Sequence, residues 1–264
     1  MNMDSVLNFY EQLANNYHLI FEDWEKTALW QGQVLDKLIR KSMIRETTQQ
    51  FSMNVLDCSC GIGTQAIGLA QQGYLVDATD LSPNAVEQAR INAEYFGVKI
   101  KFGVADIRTL TTQIQGKFDV VITCDNSLPH LLTDDDLLVA AKNLKSKLKP
   151  NGLLLASIRD YDQAIVEKPR STIPRVFDGN LGRRIIFQVW DWLDDERTYQ
   201  VHHFIVRKIE NNWQTEHCTT YYRVLLRDEL TSILQQAGFS SINWLQPEES
   251  GYYQPVVLAR KKEL

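Results

Sequence analysis

The chain has 264 residues, with 28 Lys+Arg against 33 Asp+Glu for a formal charge of −5, 44% hydrophobic residues and 23% charged ones. That usage is ordinary for a globular protein, which excludes a disordered chain and a nucleic-acid binder that relies on bulk positive charge. No apolar run approaches the roughly 20 residues of a bilayer span, and the start MNMDSVLNFYEQLANNY lacks the basic and apolar parts of a secretory signal.

Residues 6–45 read as helices carrying Phe9, Tyr10, Tyr17, Phe21, Trp24 and Trp30, several of them paired at helical spacing. From about residue 53 the texture changes to short apolar runs alternating with amphipathic stretches. MNVLDC is a buried strand, followed by CGIGT and the helical QAIGLAQQ. YLVDATD is a second strand, and Ser82-Pro83 opens the helix NAVEQARINAEYF with Ser as cap and Pro in the first turn. IKFGVAD and FDVVITCD are the third and fourth strands. Thr133 caps DDDLLVAAKNLKSKL, and Pro150-Asn151-Gly152 turns into the fifth strand, LLLASIR. Strand–helix alternation at this spacing requires a parallel, doubly wound sheet, because parallel neighbours need long crossovers.

After Asp162 the pattern breaks. Residues 163–183 lack periodicity and read as a loop, whereas RIIFQVWDW, TYQVHHFIVRK and WQTEHCTTYYRVL read as an antiparallel meander. The helix RDELTSILQQAG, closed by Gly238, leads to INWLQ and YYQPVVLARKK. Cys58, Cys60, Cys124 and Cys218 show neither a CxxC pair nor a metal spacing, so a reduced, cytoplasmic protein without a metal is expected. His202 and His203 point to opposite faces of a strand and cannot share one metal. Arg183-Arg184 and Arg260–Lys262 read as solvated faces.

The sharpest motif runs from Val55 to Thr64, VLDCSCGIGT, between the first strand and its helix. Gly61 and Gly63 allow a tight turn and a close approach of backbone to ligand, and Asp80 ends the second strand where a carboxylate can accept ribose hydroxyls. Gly61-x-Gly63-x-x-Ala66 formally satisfies the dinucleotide fingerprint, so a nicotinamide-dependent oxidoreductase is one reading. The other begins at Asp57. Asp57-x-Ser59-x-Gly61-x-Gly63 resembles the first motif of the class I S-adenosylmethionine-dependent methyltransferases, with Ser59 in place of the first glycine. A carboxylate beside this loop suits a cationic methionyl amine and would repel a pyrophosphate. Asp106 after the third strand fits the adenine-binding position of that family, and the helix and two strands after LLLASIR fit its way of finishing the sheet.

Asp125-Asn126-Ser127-Leu128-Pro129-His130-Leu131 and Arg159-Asp160-Tyr161-Asp162 look like segments of the glycine and sarcosine N-methyltransferases, as do Thr220–Arg223 and Tyr252–Pro255. The resemblance implies an α/β fold: a doubly wound, Rossmann-like seven-stranded sheet with an N-terminal helical cap (1–48), a core (49–162 and 225–264) and an antiparallel lid (163–224). It implies S-adenosylmethionine held by Asp57, Ser59, Gly61, Gly63, Asp80, Leu81, Asp106, Ile107, Cys124 and Trp24. Arg159, Asn126, His130, Tyr17 and Tyr10 would bind the substrate, and Tyr221, Tyr253 and Asn126 would serve catalysis. Arg159 has the chemistry for a carboxylate clamp by itself, since its planar charged fork matches a carboxylate bidentately.

Departures from the family stand at Ile107, where an aromatic residue is usual, at Asp125, where glycine is usual, and near Phe177 or Asp178, where a tyrosine is usual. The expected partner is a small molecule, an amine carrying a carboxylate, with neither nucleic acid nor membrane; a homo-oligomer is compatible with the sequence. Plainer roles compete: Asp57 and Asp80 as loop caps, Arg159 in an ion pair with Asp160 or Asp162, His130 as a loop-ordering group. Other small-molecule O- or N-methyltransferases and a non-catalytic cofactor-binding protein are the remaining alternatives.

Overall fold

The N-terminal aromatic stretch folds as α1 (Met3–Leu13), a 3₁₀ helix (Ala14–Ile20) and α2 (Trp24–Met43) in the computed structural model, which describes residues 3–43 and 52–262. The ends of the expected 6–45 helical stretch and of the 1–48 cap lie outside the described residues. Strands and helices then alternate: β1 (Asn54–Asp57), α3 (Thr64–Gln71), β2 (Leu75–Asp80), α4 (Pro83–Tyr95), β3 (Ile100–Val104), the short α5 (Leu110–Gln113) and β4 (Phe118–Thr123). A 3₁₀ turn (Leu128–His130), α6 (Asp134–Lys147) and β5 (Leu148–Ser157) follow. Next come α7 (Tyr161–Glu167), β6 (Arg175–Phe177), β7 (Arg184–Trp192), β8 (Thr198–Ile209) and β9 (Asn212–Arg223). The chain closes with α8 (Arg227–Gln236), β10 (Phe239–Leu245), α9 (Pro247–Ser250) and β11 (Val256–Lys261).

The caps expected from the sequence are in place. Ser82 Oγ accepts the Ala85 N–H above Pro83, and Thr133 Oγ1 accepts the Asp136 N–H. Seven strands form one sheet in the order β10-β11-β5-β4-β1-β2-β3, parallel except that β11 runs antiparallel to both β10 and β5. Alternation along each strand sends side chains to two cores. Leu56, Val121 and Leu154 pack on one face with residues of α6 and α8, while Val55, Val120, Ile122 and Leu155 pack on the other with residues of α2 and α3. The order of connections reverses between β1 and β4, so a ligand crevice opens at the carboxyl ends of these strands.

Helix α2 reaches that crevice because two glycines let helices touch. A Cβ on Gly32 of α2 would stand 2.3 Å from the Gly68 carbonyl carbon in α3, and one on Gly68 would stand 2.3 Å from the Ala28 carbonyl oxygen. This crossing brings Gln31 and Trp24 against the start of α3.

Two expectations need correction. Residues 163–183 are not all loop. Asp160 Oδ1 accepts the Gln163 N–H to start α7, Lys168 at φ 43° ends it, and β6 adds a fourth strand to the meander, in the order β6-β7-β8-β9. Arg184 is not on a solvated face. It is 1% exposed, and its guanidinium donates to the carbonyls of Leu19, Phe21 and Glu22, which ties the four-stranded sheet to the N-terminal segment. A run of carbonyls at the end of the 3₁₀ helix, short of partners within the helix, is the reason a charged group is stable there.

Candidate active site

The loop after β1 is held from several sides. Cys58 N–H donates to the Ile122 carbonyl, Cys60 N–H to Thr79, and Gly63 N–H to Cys60 at 2.8 Å. Asp57 is 1% exposed; its Oδ1 accepts the Ser59 N–H at 3.2 Å while its Oδ2 has no partner. Burial pushes its carboxyl up to about 8, with Asp80 and Asp125 adding to the effect. Asp80 spans the crevice edge, its Oδ2 accepting the Gly61 N–H at 2.8 Å and its Oδ1 the Ser82 N–H at 3.0 Å. Gly61 has φ 52° and nothing within 4 Å of where a Cβ would stand, so it leaves the space over the loop open.

A cavity of about 230 Å³ lies over this loop. Ser59, Gly61, Asp80, Leu81, Asp106, Ile107 and Cys124 line it, and so do Tyr10, Tyr17, His130 and Tyr221. Asp57, Gly63 and Trp24 do not. Gly63, at φ 96°, serves the turn into α3, where a Cβ would meet Ile67 at 2.9 Å. The Trp24 indole is 7% exposed and donates to Thr64 Oγ1 at 2.9 Å, supporting the loop from behind.

Asp106 is engaged with Arg108, accepting from its backbone N–H and guanidinium, and Arg108 also reaches Asp136 at 3.0 Å. The charges at the cavity are thus mainly carboxylates, and its one arginine among the described lining residues is neutralised by two of them. That set repels a pyrophosphate and suits a ligand carrying a sulfonium, an ammonium and ribose hydroxyls. S-adenosylmethionine therefore fits the residues present.

A second cavity, of about 420 Å³, adjoins the first and shares Tyr10, Tyr17 and Asp125 with it. Arg159 enters it from the end of β5. Its Nη2 donates to Gln188 Oε1 at 3.0 Å and its Nη1 to Tyr199 Oη at 3.3 Å, and the guanidinium lies 5.0 Å from the Trp190 ring and 5.3 Å from that of Tyr222. Asp160 and Asp162 pair with Arg227, and among the described residues no carboxylate stands within ion-pair distance of Arg159. A partly buried charge held on neutral groups alone has the chemistry to accept an anion.

Asn126 is 2% exposed and lines this cavity, but its side chain is committed: Oδ1 accepts the Arg159 N–H at 3.1 Å, and Nδ2 donates to Tyr161 Oη at 2.9 Å. It thereby fixes the backbone at Arg159 to the turn after β4. His130 is also committed. Its Nδ1–H donates to the Tyr221 carbonyl at 3.2 Å, so Nε2 accepts the Tyr10 hydroxyl at 2.9 Å, and burial lowers its pKa to about 3. Tyr253 stands 48% exposed at the rim next to Trp30. The structure brings Tyr10, Tyr17, Arg159 and Asn126 together at the second cavity along with Tyr253, while Tyr221 faces the first.

Sequence reasoning missed Gln188 and His203. Gln188 Oε1 accepts from both Arg159 and the Trp190 indole at 3.2 Å, which fixes its amide so that Nε2 donates to His203 Nδ1 at 3.2 Å. His203, 4% exposed and with a pKa lowered by burial to about 4, is then neutral with its proton on Nε2, and that N–H has no partner. The signal was present in β8, where Val201, His203 and Ile205 share the inward phase, so a histidine stands in an apolar row. His202, on the other face, pairs with His217 and Asp191 instead. Among the described residues no group of three His, Cys, Asp or Glu side chains could hold a metal, and no helix is long and apolar enough to cross a membrane.

Comparison with known proteins agrees with this geometry. Residues 55–152 match the family described as a methyltransferase domain. A glycine/sarcosine N-methyltransferase of Parasynechococcus marenigrum is 32% identical over 143 residues, 54% of this chain and 48% of that protein, so the match spans about half of that relative's length. The glycine/sarcosine N-methyltransferase of Aphanothece halophytica is 24% identical over 240 residues, 88% of this chain and 83% of its own. An S-adenosylmethionine-dependent methyltransferase from Clostridium acetobutylicum shares the fold with a TM-score of 0.73 at 16% identity, covering 97% of this chain and 98% of that one. The chain thus carries a methyltransferase domain over residues 55–152 and shares the fold of S-adenosylmethionine-dependent methyltransferases.

Proposed function

We propose that the protein transfers a methyl group from S-adenosylmethionine to the nitrogen of a small amine that carries a carboxylate, with glycine and sarcosine as the reference substrates. The observation that carries this reading is Arg159: a guanidinium without an acidic partner in a cavity that adjoins the glycine-loop cavity. The relatives named glycine/sarcosine N-methyltransferases support it.

Asp80 and the Ser59–Gly61 backbone would hold the ribose and methionyl parts, and Asp106 with Ile107 would border the adenine. S-adenosylmethionine bound there would supply an electrophilic methyl carbon to the lone pair of the amine. Arg159 and the unpartnered His203 Nε2–H would grip the substrate carboxylate. Tyr10 and Tyr17, at the wall common to both cavities, would confine the amine and exclude water. Alignment of the amine with the methyl carbon can supply about 7–11 kcal/mol in favourable cases.

The test is a transfer assay with methyl-labelled S-adenosylmethionine over amino acids, their N-methylated forms and simple amines. Labelled product from carboxylated amines, and none from the same amines as esters or decarboxylated analogues, is the expected outcome. Equal labelling of both sets would overturn the carboxylate part of the reading.

A further inference from the structure

The substrate cavity holds a second fixed charge. Asp125 follows β4 as Arg159 follows β5, and these strands are parallel neighbours in the register Thr123 to Ala156. Neighbouring strands lie about 4.8 Å apart, so the two residues stand at adjacent strand ends. Both line the second cavity, and Asp125 lines the first as well. The backbone is built for this placement: Asp125 has φ 57° and the next residue, Asn126, φ 68°, a left-handed pair without glycine. Such a conformation costs about 1–3 kcal/mol per residue and is retained where the surroundings over-determine it. Here the Asp125 N–H donates to Ser157 Oγ at 2.9 Å and the Asn126 N–H to the Ser157 carbonyl at 3.2 Å, pinning the turn to β5.

The Asp125 carboxylate has neutral donors from the protein, the side chains of Tyr252, Tyr253, Gln65 and Gln31, but no cation. Tyr252 Oη donates to its Oδ1 at 2.5 Å, and among the described residues no Lys or Arg forms an ion pair with it. A carboxylate and a guanidinium in one cavity, each held by neutral groups and neither paired with the other, leave room for a small molecule with both charges reversed. We propose that Asp125 binds the ammonium group of the acceptor amine while Arg159 binds its carboxylate, so that the acceptor is recognised as a zwitterion and Asp125 sets the specificity for the amine. This assignment rests on the carboxylate-bearing acceptor proposed above.

Asp125 also solves a chemical requirement. Only the neutral amine can attack, yet an amino acid arrives as its ammonium form. The carboxylate takes the proton: one N–H bond breaks, an O–H bond forms on Asp125, and nitrogen keeps the electron pair it needs. The methylated product leaves as an ammonium ion, and the proton on Asp125 passes to water. Burial raises the Asp125 pKa against the pull of its hydrogen bonds, which favours holding that proton.

The experiment titrates the protein loaded with S-adenosylhomocysteine with two probes of nearly equal shape. Sarcosine carries an ammonium between its methyl and its carboxylate, and methoxyacetate carries an ether oxygen there. Wild type is expected to prefer sarcosine by about tenfold or more, the worth of a charge-assisted hydrogen bond. Asp125→Asn, which keeps the size and tolerates the left-handed backbone, is expected to bring the two probes within about twofold while leaving methoxyacetate affinity and S-adenosylhomocysteine affinity unchanged. If D125N keeps the preference, the amine assignment is wrong and the carboxylate clamp stands. If D125N instead loses S-adenosylhomocysteine, Asp125 serves the methionyl ammonium and the proposal is overturned. Binding of neither probe to wild type overturns both the acceptor reading and this proposal.

Discussion

Arg159→Leu separates the proposed carboxylate clamp from the cofactor site. The guanidinium makes two side-chain hydrogen bonds, to Gln188 at 3.0 Å and Tyr199 at 3.3 Å, and both acceptors keep other partners when it is removed: Gln188 retains Trp190, and Tyr199 retains Tyr161 at 3.0 Å. Asn126 is bound to the Arg159 backbone and is unaffected by the side chain. Folding should therefore lose little more than the two ring contacts, each worth about 0.5–2 kcal/mol. Substrate loses far more. Truncating one partner of a desolvated, hydrogen-bonded charge pair costs about 2–5 kcal/mol, or about 30-fold to several-thousand-fold at 1.4 kcal/mol per decade. Steady-state kinetics on the best carboxylated amine should show that loss in kcat/KM, carried mainly by KM, with S-adenosylhomocysteine affinity by calorimetry unchanged. An unaltered KM for every acidic amine would refute the clamp.

Three further outcomes follow from named contacts. Asp80→Asn keeps one acceptor oxygen of the two that hold Gly61 and Ser82, so S-adenosylhomocysteine affinity by calorimetry should fall about tenfold, one charge-assisted bond, with the fold intact. Gly68→Ala places a methyl 2.3 Å from the Ala28 carbonyl; overpacking of about 1–3 kcal/mol exceeds the roughly 1 kcal/mol gained in helix propensity, and thermal melting should drop by a few degrees. An unchanged or higher Tm would show that α2 and α3 do not cross as described. Asp57 titrates near 8 when folded and near 3.9 when unfolded, so its stabilising protonated form is lost as pH rises through that window. Denaturant titrations should find Asp57→Asn gaining stability relative to wild type from about pH 4 to pH 8, and a flat difference would contradict the buried, half-partnered carboxyl.

The sheet was legible because its signals are local. Apolar runs bounded by Gly, Pro and capping residues reported each strand and helix, and the glycine loop marked the crevice that the switch between β1 and β4 creates. Positions governed by distant chain were not. Arg184 beside Arg183 reads as a charged surface pair; only the packing of β7 on the segment from Leu19 to Glu22 shows why one of them is buried. Gln188 looks like any polar residue of a strand, and its contact with the site arises from Arg159, 29 residues away in the chain. Trp24 was expected at the cofactor, but its indole serves the loop from behind, a distinction of side-chain direction that spacing alone does not carry. Asp125 was visible as a departure from the family pattern, and its proposed role rests on Arg159 having no acidic ion-pair partner among the described residues.

The most direct measurement is mass-spectrometric detection of methyl transfer from methyl-labelled S-adenosylmethionine across a panel of small carboxylated amines, with S-adenosylhomocysteine binding followed in the same preparation. The account predicts an N-methylated product from at least one amine bearing a carboxylate, lost in Arg159→Leu. Tight S-adenosylhomocysteine binding with no labelled amine in the panel would contradict it.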